Sequence, residues 1–262
     1  MPKIKLQKNI PLAEYTTFQI GGPAKYFFNA KTIEDLIQAV EFAQSKSIAW
    51  FILGGGSNLL ISDQGFDGLV IRARNSGCKI QGKKIIAEAG VKLSNLVKFS
   101  IKSELSGLEW AVGIPGTVGG AVKVNAHAFG SNFNDLVKNI RKENEIILSV
   151  ELELTKGNKE KSQDLLKEYI KKRKHSQPLE YPSAGCVFRN PTGQFAGQLI
   201  DQCGLKGRKN GGAEVSEKHA NFIINSGNAK ARDVVGLIDL IKEKVKEKFG
   251  VELEEEIEYL GF

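Results

Sequence analysis

Leu108-Glu109-Trp110-Ala111-Val112-Gly113-Ile114-Pro115-Gly116-Thr117-Val118-Gly119-Gly120-Ala121-Val122 places four glycines and a proline inside an apolar run. Glycine weakens helix and strand alike and proline breaks both, so the stretch reads as neither a regular helix nor a central strand. Backbone free of Cβ atoms lets a large flat group approach the main chain, and successive glycine amides can bind an anion. Two readings are open: a backbone cradle for a cofactor, or a pair of glycine turns between two core strands.

The segments before it alternate strand and helix. Gly21-Gly22-Pro23 is a turn ahead of a short strand at 25–28. Thr32, with Asp35 three residues on, starts a helix whose buried stripe is Ile33, Leu36, Ile37, Val40 and Ala43. A strand over 48–53 then runs into Gly54-Gly55-Gly56-Ser57-Asn58, where a glycine-rich strand end can present several amides to a phosphate or form a flexible turn. Strands are expected at 69–73 and 84–89, and a helix from Leu93 to Leu105 leads into the opening stretch.

After it, 145–154 alternates cleanly, with Ile146, Leu148, Val150, Leu152 and Leu154 on one face. That pattern belongs to a half-buried antiparallel strand, not to a parallel crossover strand. Residues 155–159 are polar and contain Gly157, which makes them the best candidate boundary. A basic helix is expected near 162–174, a short helix near 196–203 and a strand at 221–225. The final helix carries Val234, Ile238, Ile241, Val245 and Phe249 on one face and ends at Gly250.

The chain has 262 residues and 41% hydrophobic content, enough for one large or two modest cores. No apolar run approaches the roughly 20 residues that span a bilayer, and no apolar segment follows the charged amino terminus, so a soluble intracellular protein is expected. Cys78, Cys186 and Cys203 lack metal-binding spacing and are reduced thiols by default; no metal site is expected. The net charge of +7 is scattered, without a nucleic-acid module, and suits small anionic ligands.

Six motifs in one order resemble the UDP-N-acetylenolpyruvoylglucosamine reductases. They are Thr17-Phe18-Gln19-Ile20-Gly21-Gly22, Leu53-Gly54-Gly55-Gly56-Ser57-Asn58-Leu59-Leu60, residues 107–126, residues 184–191, Ser216-Glu217-Lys218-His219-Ala220-Asn221 and Leu253-Glu254-Glu255-Glu256. The resemblance implies an α+β fold: an FAD-binding domain of the vanillyl-alcohol-oxidase type made of two subdomains, 1–73 and 74–156, and a substrate-binding domain, 157–262. It implies a cytoplasmic, monomeric enzyme that uses FAD and NADPH to reduce UDP-N-acetylglucosamine enolpyruvate to UDP-N-acetylmuramate for peptidoglycan. Another FAD oxidoreductase of the same fold and a non-catalytic flavin or nucleotide-sugar binder are the alternatives.

Site residues follow from the resemblance. Gly54, Gly55, Gly56, Ser57 and Asn58 are expected at the cofactor pyrophosphate. Gly113, Ile114, Pro115, Gly116, Thr117, Gly119 and Gly120, with Val124 and Asn125, are expected as the wall around the flavin. Cys186 stands where the family has its proton-donating serine; a thiol, with a reference pKa of about 8.5, is the stronger acid and still mostly protonated at neutral pH. Glu256 matches the catalytic glutamate, and Cys186 and Glu256 are expected to face the flavin from the other domain. The family's Tyr-Arg-x-Ser pattern is replaced by Ile140-Arg141-Lys142-Glu143, so Arg141, in a shortened loop, is nominated as the catalytic arginine. Asn190 and His219 are expected near the substrate, and Gln177, with Arg173 and Lys174 nearby, at its uridine diphosphate.

Overall fold

A computed structural model describes residues 4–143 and 145–262, in two compact units. Of the described residues, one unit comprises 4–8, 26–55, 68–143 and 145–173; the other comprises 9–25, 56–67 and 174–262. No described helix is long and apolar enough to cross a membrane.

The first unit holds two four-stranded sheets. In one, strands Gln7–Pro11, Pro23–Ala30, Phe66–Ala73 and Trp50–Leu53 are neighbours in that order, and the last two run parallel. Helix α1, Ile33–Ser45, connects Pro23–Ala30 to Trp50–Leu53 and begins at a reciprocal cap: Asp35 N–H donates to Thr32 Oγ1 (3.0 Å) and Thr32 N–H to the Asp35 carboxylate (3.1 Å). Its buried Leu36, Ala39, Val40 and Ala43 share a cluster with Leu69 and Ile71. The strand expected from residue 48 begins at Trp50.

The other sheet is antiparallel, in the order Val137–Glu143, Ile146–Glu153, Lys84–Glu88, Cys78–Gln81. Ile146–Glu153 has the alternation expected of it: Ile146, Leu148, Val150 and Leu152 are buried and the residues between them are not. The outer strand Val137–Glu143, where a shortened loop is expected, is mostly exposed and polar and carries no clear two-residue period to betray it. Val150 and Leu152 pack with Leu96, Val97 and Ile101 of α2, Leu93–Lys102, and with Val118 and Ala121 of α3, Val118–Lys123.

Helix α3 corrects one expectation, since the second half of the opening stretch is helical despite its paired glycines. Tertiary packing overrides propensity here. The Gly119 amide donates to Ala89 O at 2.9 Å, and a Cβ on Gly119 would lie 2.8 Å from the Ala89 Cβ. Only glycine lets the helix sit this close to the sheet. Helix α4, Lys159–Ser176, is exposed on most faces.

The second unit has an antiparallel sheet ordered Ser183–Cys186, Phe222–Asn225, Ala213–Val215, Lys209–Asn210. Helices α5, Ala196–Gln202, and α6, Ala231–Phe249, contribute Ile200, Val234, Ile238 and Ile241 to a cluster with Val215 and Ile223. Asp63 accepts from Ala231 N–H at 2.9 Å and so caps the start of α6, while Gly250, at φ 68°, ends it in the left-handed conformation. Near the carboxyl end, Glu258–Leu260 pairs in parallel with Leu59–Ile61.

Candidate active site

In the first unit the two glycine segments meet backbone to backbone. A Cβ on Gly55 would lie 2.5 Å from Gly116 Cα, and one on Gly54 would lie 2.5 Å from Thr117 Oγ1. Gly113 and Gly116, at φ 74° and 134°, occupy conformations that side chains disfavour. Thr117 stands at the N-cap of α3, yet its hydroxyl does not cap the helix. That Oγ1 is buried and has no hydrogen-bond partner among the described residues. A buried hydroxyl left unmatched costs about 1–3 kcal/mol, which a bound polar group would recover. A close-packed glycine floor with an unmatched hydroxyl in it fits a large cofactor carrying oxygen acceptors.

Gly56, Ser57 and Asn58, which follow Gly54 and Gly55, belong to the second unit. Gly56 has φ 62°, and a Cβ on it would strike Tyr15 O at 2.2 Å. Asn58 is tied to the carboxyl-terminal tail: its Nδ2 donates to Glu256 O (3.0 Å), and its carbonyl accepts from Glu258 N–H (2.9 Å).

Within that unit the structure brings Cys186 and Glu256 into one backbone network. Cys186 ends the strand Ser183–Cys186 opposite Phe222 and is half-buried. The Glu256 amide donates to Val187 O (2.8 Å), while Phe188 and Glu255 form an antiparallel bridge. Glu255 is set apart from its neighbour. Its carboxylate pairs with Lys242 Nζ at 2.8 Å, and although burial pushes its pKa up, hydrogen bonds from Lys242 and Tyr259 outweigh that and hold it below the usual range.

The residue that fixes this network, Asn221, carries no role in the sequence reading, although its motif is recognised there. It is 3% exposed, accepts from Phe188 N–H through Oδ1 (2.9 Å), donates to Phe188 O through Nδ2 (2.7 Å), and accepts from Val187 N–H through its own carbonyl (2.8 Å). It therefore completes the pairing of the strand just beyond Cys186. His219 lies two residues away, its Nδ1 accepting from Asn221 N–H (3.3 Å), an arrangement that leaves Nε2 to carry the proton. Burial holds its pKa below the usual histidine value, so the ring is a neutral donor. Asn190 is exposed and uses Oδ1 to accept from Ala196 N–H at the start of α5 (3.0 Å). Gln177 is half-buried in the turn after α4, where its carbonyl accepts from Leu179 N–H.

Arg141, in the first unit, is exposed on the outer strand opposite Ser149. Helix α4 adds two buried residues there: Ser162, Leu166, Tyr169 and Arg173 fall on one helical face, and of these Ser162, which carries no role in the sequence reading, and Arg173, expected only beside the uridine diphosphate, are buried. The buried carboxylate of Glu109 accepts from Ser162 Oγ (2.5 Å), Ser106 Oγ (2.7 Å) and Gly107 N–H (2.7 Å). Burial alone would raise the Glu109 pKa; these hydrogen bonds outweigh it and lower the pKa, keeping the group ionised.

Comparison with known proteins agrees with this layout. Residues 24–151 match a sequence-family model described as FAD binding domain, and residues 177–260 match one described as UDP-N-acetylenolpyruvoylglucosamine reductase, C-terminal domain. The UDP-N-acetylenolpyruvoylglucosamine reductase of Caldanaerobacter subterraneus subsp. tengcongensis is 41% identical over 98% of this chain and 94% of its own length. That of Syntrophomonas wolfei is 39% identical over 100% of this chain and 97% of its own. A crystal structure of the Thermus caldophilus reductase aligns with a TM-score of 0.84 at 34% identity, covering 98% of this chain and all of that one. The α+β fold with an FAD-binding domain expected from the six motifs is thereby borne out. The chain belongs to the UDP-N-acetylenolpyruvoylglucosamine reductase family of FAD-dependent oxidoreductases.

Proposed function

We propose that this chain reduces the enolpyruvyl group of UDP-N-acetylglucosamine enolpyruvate, in the synthesis of peptidoglycan precursors, with NADPH as the reductant and the Cys186 thiol as the proton source. The observation that carries the reading is the tie between the strand that ends at Cys186 and the tail that bears Glu256, through Glu256 N–H and Val187 O.

The residues present fit FAD. Gly54 and Gly55, with Gly56, Ser57 and Asn58 after them, would hold its pyrophosphate; Gly113, Ile114, Pro115, Gly116, Gly119 and Gly120, with Val124 and Asn125, would wall the flavin ring. Thr117 Oγ1, buried and unmatched, would donate to it. When bound, FAD would supply the hydride-transfer chemistry, between NADPH and the methylene carbon of the enolpyruvyl double bond. The π electrons of that bond then move toward the carboxylate, where negative charge collects. Cys186 supplies the proton to the adjacent carbon: the S–H bond breaks, the C–H bond forms, and the thiolate recovers a proton from solvent. Glu256 helps to stabilise the intermediate, and the backbone network through Asn221 fixes the strand beside Cys186. His219, a neutral Nε2–H donor, together with Asn190 and Gln177, binds the sugar nucleotide. On this proposal residues 1–73 and 74–156 are the flavin-binding subdomains and 157–262 the substrate domain. Two apolar clusters accompany the first division, although the one built on residues 30–73 also takes in Ile146 and Leu148, and packing of Leu166 and Tyr169 onto the other makes α4 an exception to the second. NADPH and nucleotide sugars are cytoplasmic metabolites, and we place the enzyme there, as a monomer.

Anaerobic titration of the purified, FAD-loaded protein tests this function. The yellow colour should bleach with NADPH and return on addition of one equivalent of the enolpyruvyl sugar nucleotide. Absence of bleaching would favour a binding protein, and bleaching without return would favour a flavoenzyme of different substrate.

A further inference from the structure

Hydride addition to an enolpyruvyl carboxylate needs a cation where the charge collects. This chain lacks the tyrosine and serine of the pattern that supplies it by resemblance, and Arg141 is exposed on an outer strand. Arg173 is in a different situation. It is 8% exposed, on a helix whose other basic residues face solvent. A cationic side chain is rarely buried on an otherwise solvated helix without a specific use.

The stem of Arg173 lies against Gly113: a Cβ placed on Gly113 would be 3.3 Å from both Cδ and Nε of the arginine. Gly113 is thus restricted by its left-handed φ of 74° and by the arginine packed on it. The depth of α4 at this point is set from its other end, where Glu109 holds Ser162 on the same face. Glu109 and Gly113 flank one short segment, so a single buried carboxylate positions both the glycine wall and the helix that carries the guanidinium.

We propose that Arg173 is the cation that stabilises the negative charge formed on the substrate carboxylate side during hydride addition. The proposal rests on the functional reading above and on Gly113 opening the flavin wall. Arg173 exchanges no proton, because guanidinium stays charged in proteins; the proton still comes from Cys186 and the electron pair still comes with the hydride. A planar guanidinium can engage a carboxylate through two parallel N–H donors, which a lysine cannot reproduce.

The test compares Arg173→Gln, Arg173→Lys and Arg141→Gln in the FAD-loaded protein, following flavin reduction by NADPH, flavin reoxidation by the enolpyruvyl sugar nucleotide, and the flavin midpoint potential. Arg173→Gln should leave reduction within about threefold and slow reoxidation by roughly 100-fold or more, the loss typical of one electrostatic donor. Its midpoint potential should fall, because a nearby positive charge favours the reduced ring. Should Arg173→Gln fail to load FAD, Arg173→Lys, which keeps charge and stem, decides: reoxidation slowed about tenfold or more with normal reduction supports the proposal. Reoxidation at the wild-type rate in the loaded Gln variant, or in the Lys variant where that one decides, overturns it, as does a larger loss in Arg141→Gln. A wild-type flavin that substrate does not reoxidise would instead overturn the functional reading, and the proposal with it.

Discussion

Glu109 shows how one residue can organise a site it does not touch. Its carboxylate is 5% exposed and satisfied by two hydroxyls and one amide. Glu109→Gln keeps the shape but turns an amide N–H toward groups that were donating, so one or more donors lose their acceptor. The expected loss is about 1–3 kcal/mol at neutral pH, read from urea unfolding. The pH dependence follows from the lowered pKa. The stabilisation is present in full above the ordinary value of 4.5 and is lost as pH falls through the lower folded-state value. The gap between wild type and variant should therefore close on acidification, and equal stabilities at pH 7 would contradict this role. The glutamate is visible in the sequence as a lone charge in an apolar run; that it is buried is not, because its partner Ser162 lies 53 residues away and a serine on the buried face of α4 is not an apolar signal.

At the scale of elements, glycines decide how closely segments approach. Gly55→Ala would put a methyl group 2.5 Å from Gly116 Cα, a backbone atom that cannot swing aside. The two segments must then separate, and FAD affinity should fall at least roughly tenfold, or about 1.4 kcal/mol, with unchanged circular dichroism. Titration of the apoprotein with FAD reads this directly, and wild-type affinity would show that the glycine contact does not shape the cofactor floor. Periodicity made α1, α6 and the strand Ile146–Glu153 legible, since each buries one face and exposes the other. It misses α3, whose helix exists because Gly119 lets it close on Ala89, and Val137–Glu143, which has solvent on its outer edge and so little need of apolar residues. The apolar stripe of α4 is hard to see for a different reason: it ends in the charged Arg173.

For the whole molecule, family membership follows from similarity over nearly the full chain, and the motifs that announced it are those where backbone geometry leaves few residue choices. What the sequence could not show was how the second unit is held together around Cys186, because hydrogen bonds from Asn221, Asn58 and Glu256 to main-chain atoms depend on segments far apart in the chain. The proposed proton donor Cys186, a cysteine where the resemblance gives a serine, is also the sharpest handle on its chemistry. The most direct test is a two-step anaerobic experiment on FAD-loaded Cys186→Ala, adding NADPH and then the enolpyruvyl sugar nucleotide. The flavin should bleach at close to the wild-type rate and then stay reduced, with reoxidation at least about 100-fold slower than in the wild type. Return of the yellow colour at the wild-type rate would contradict it.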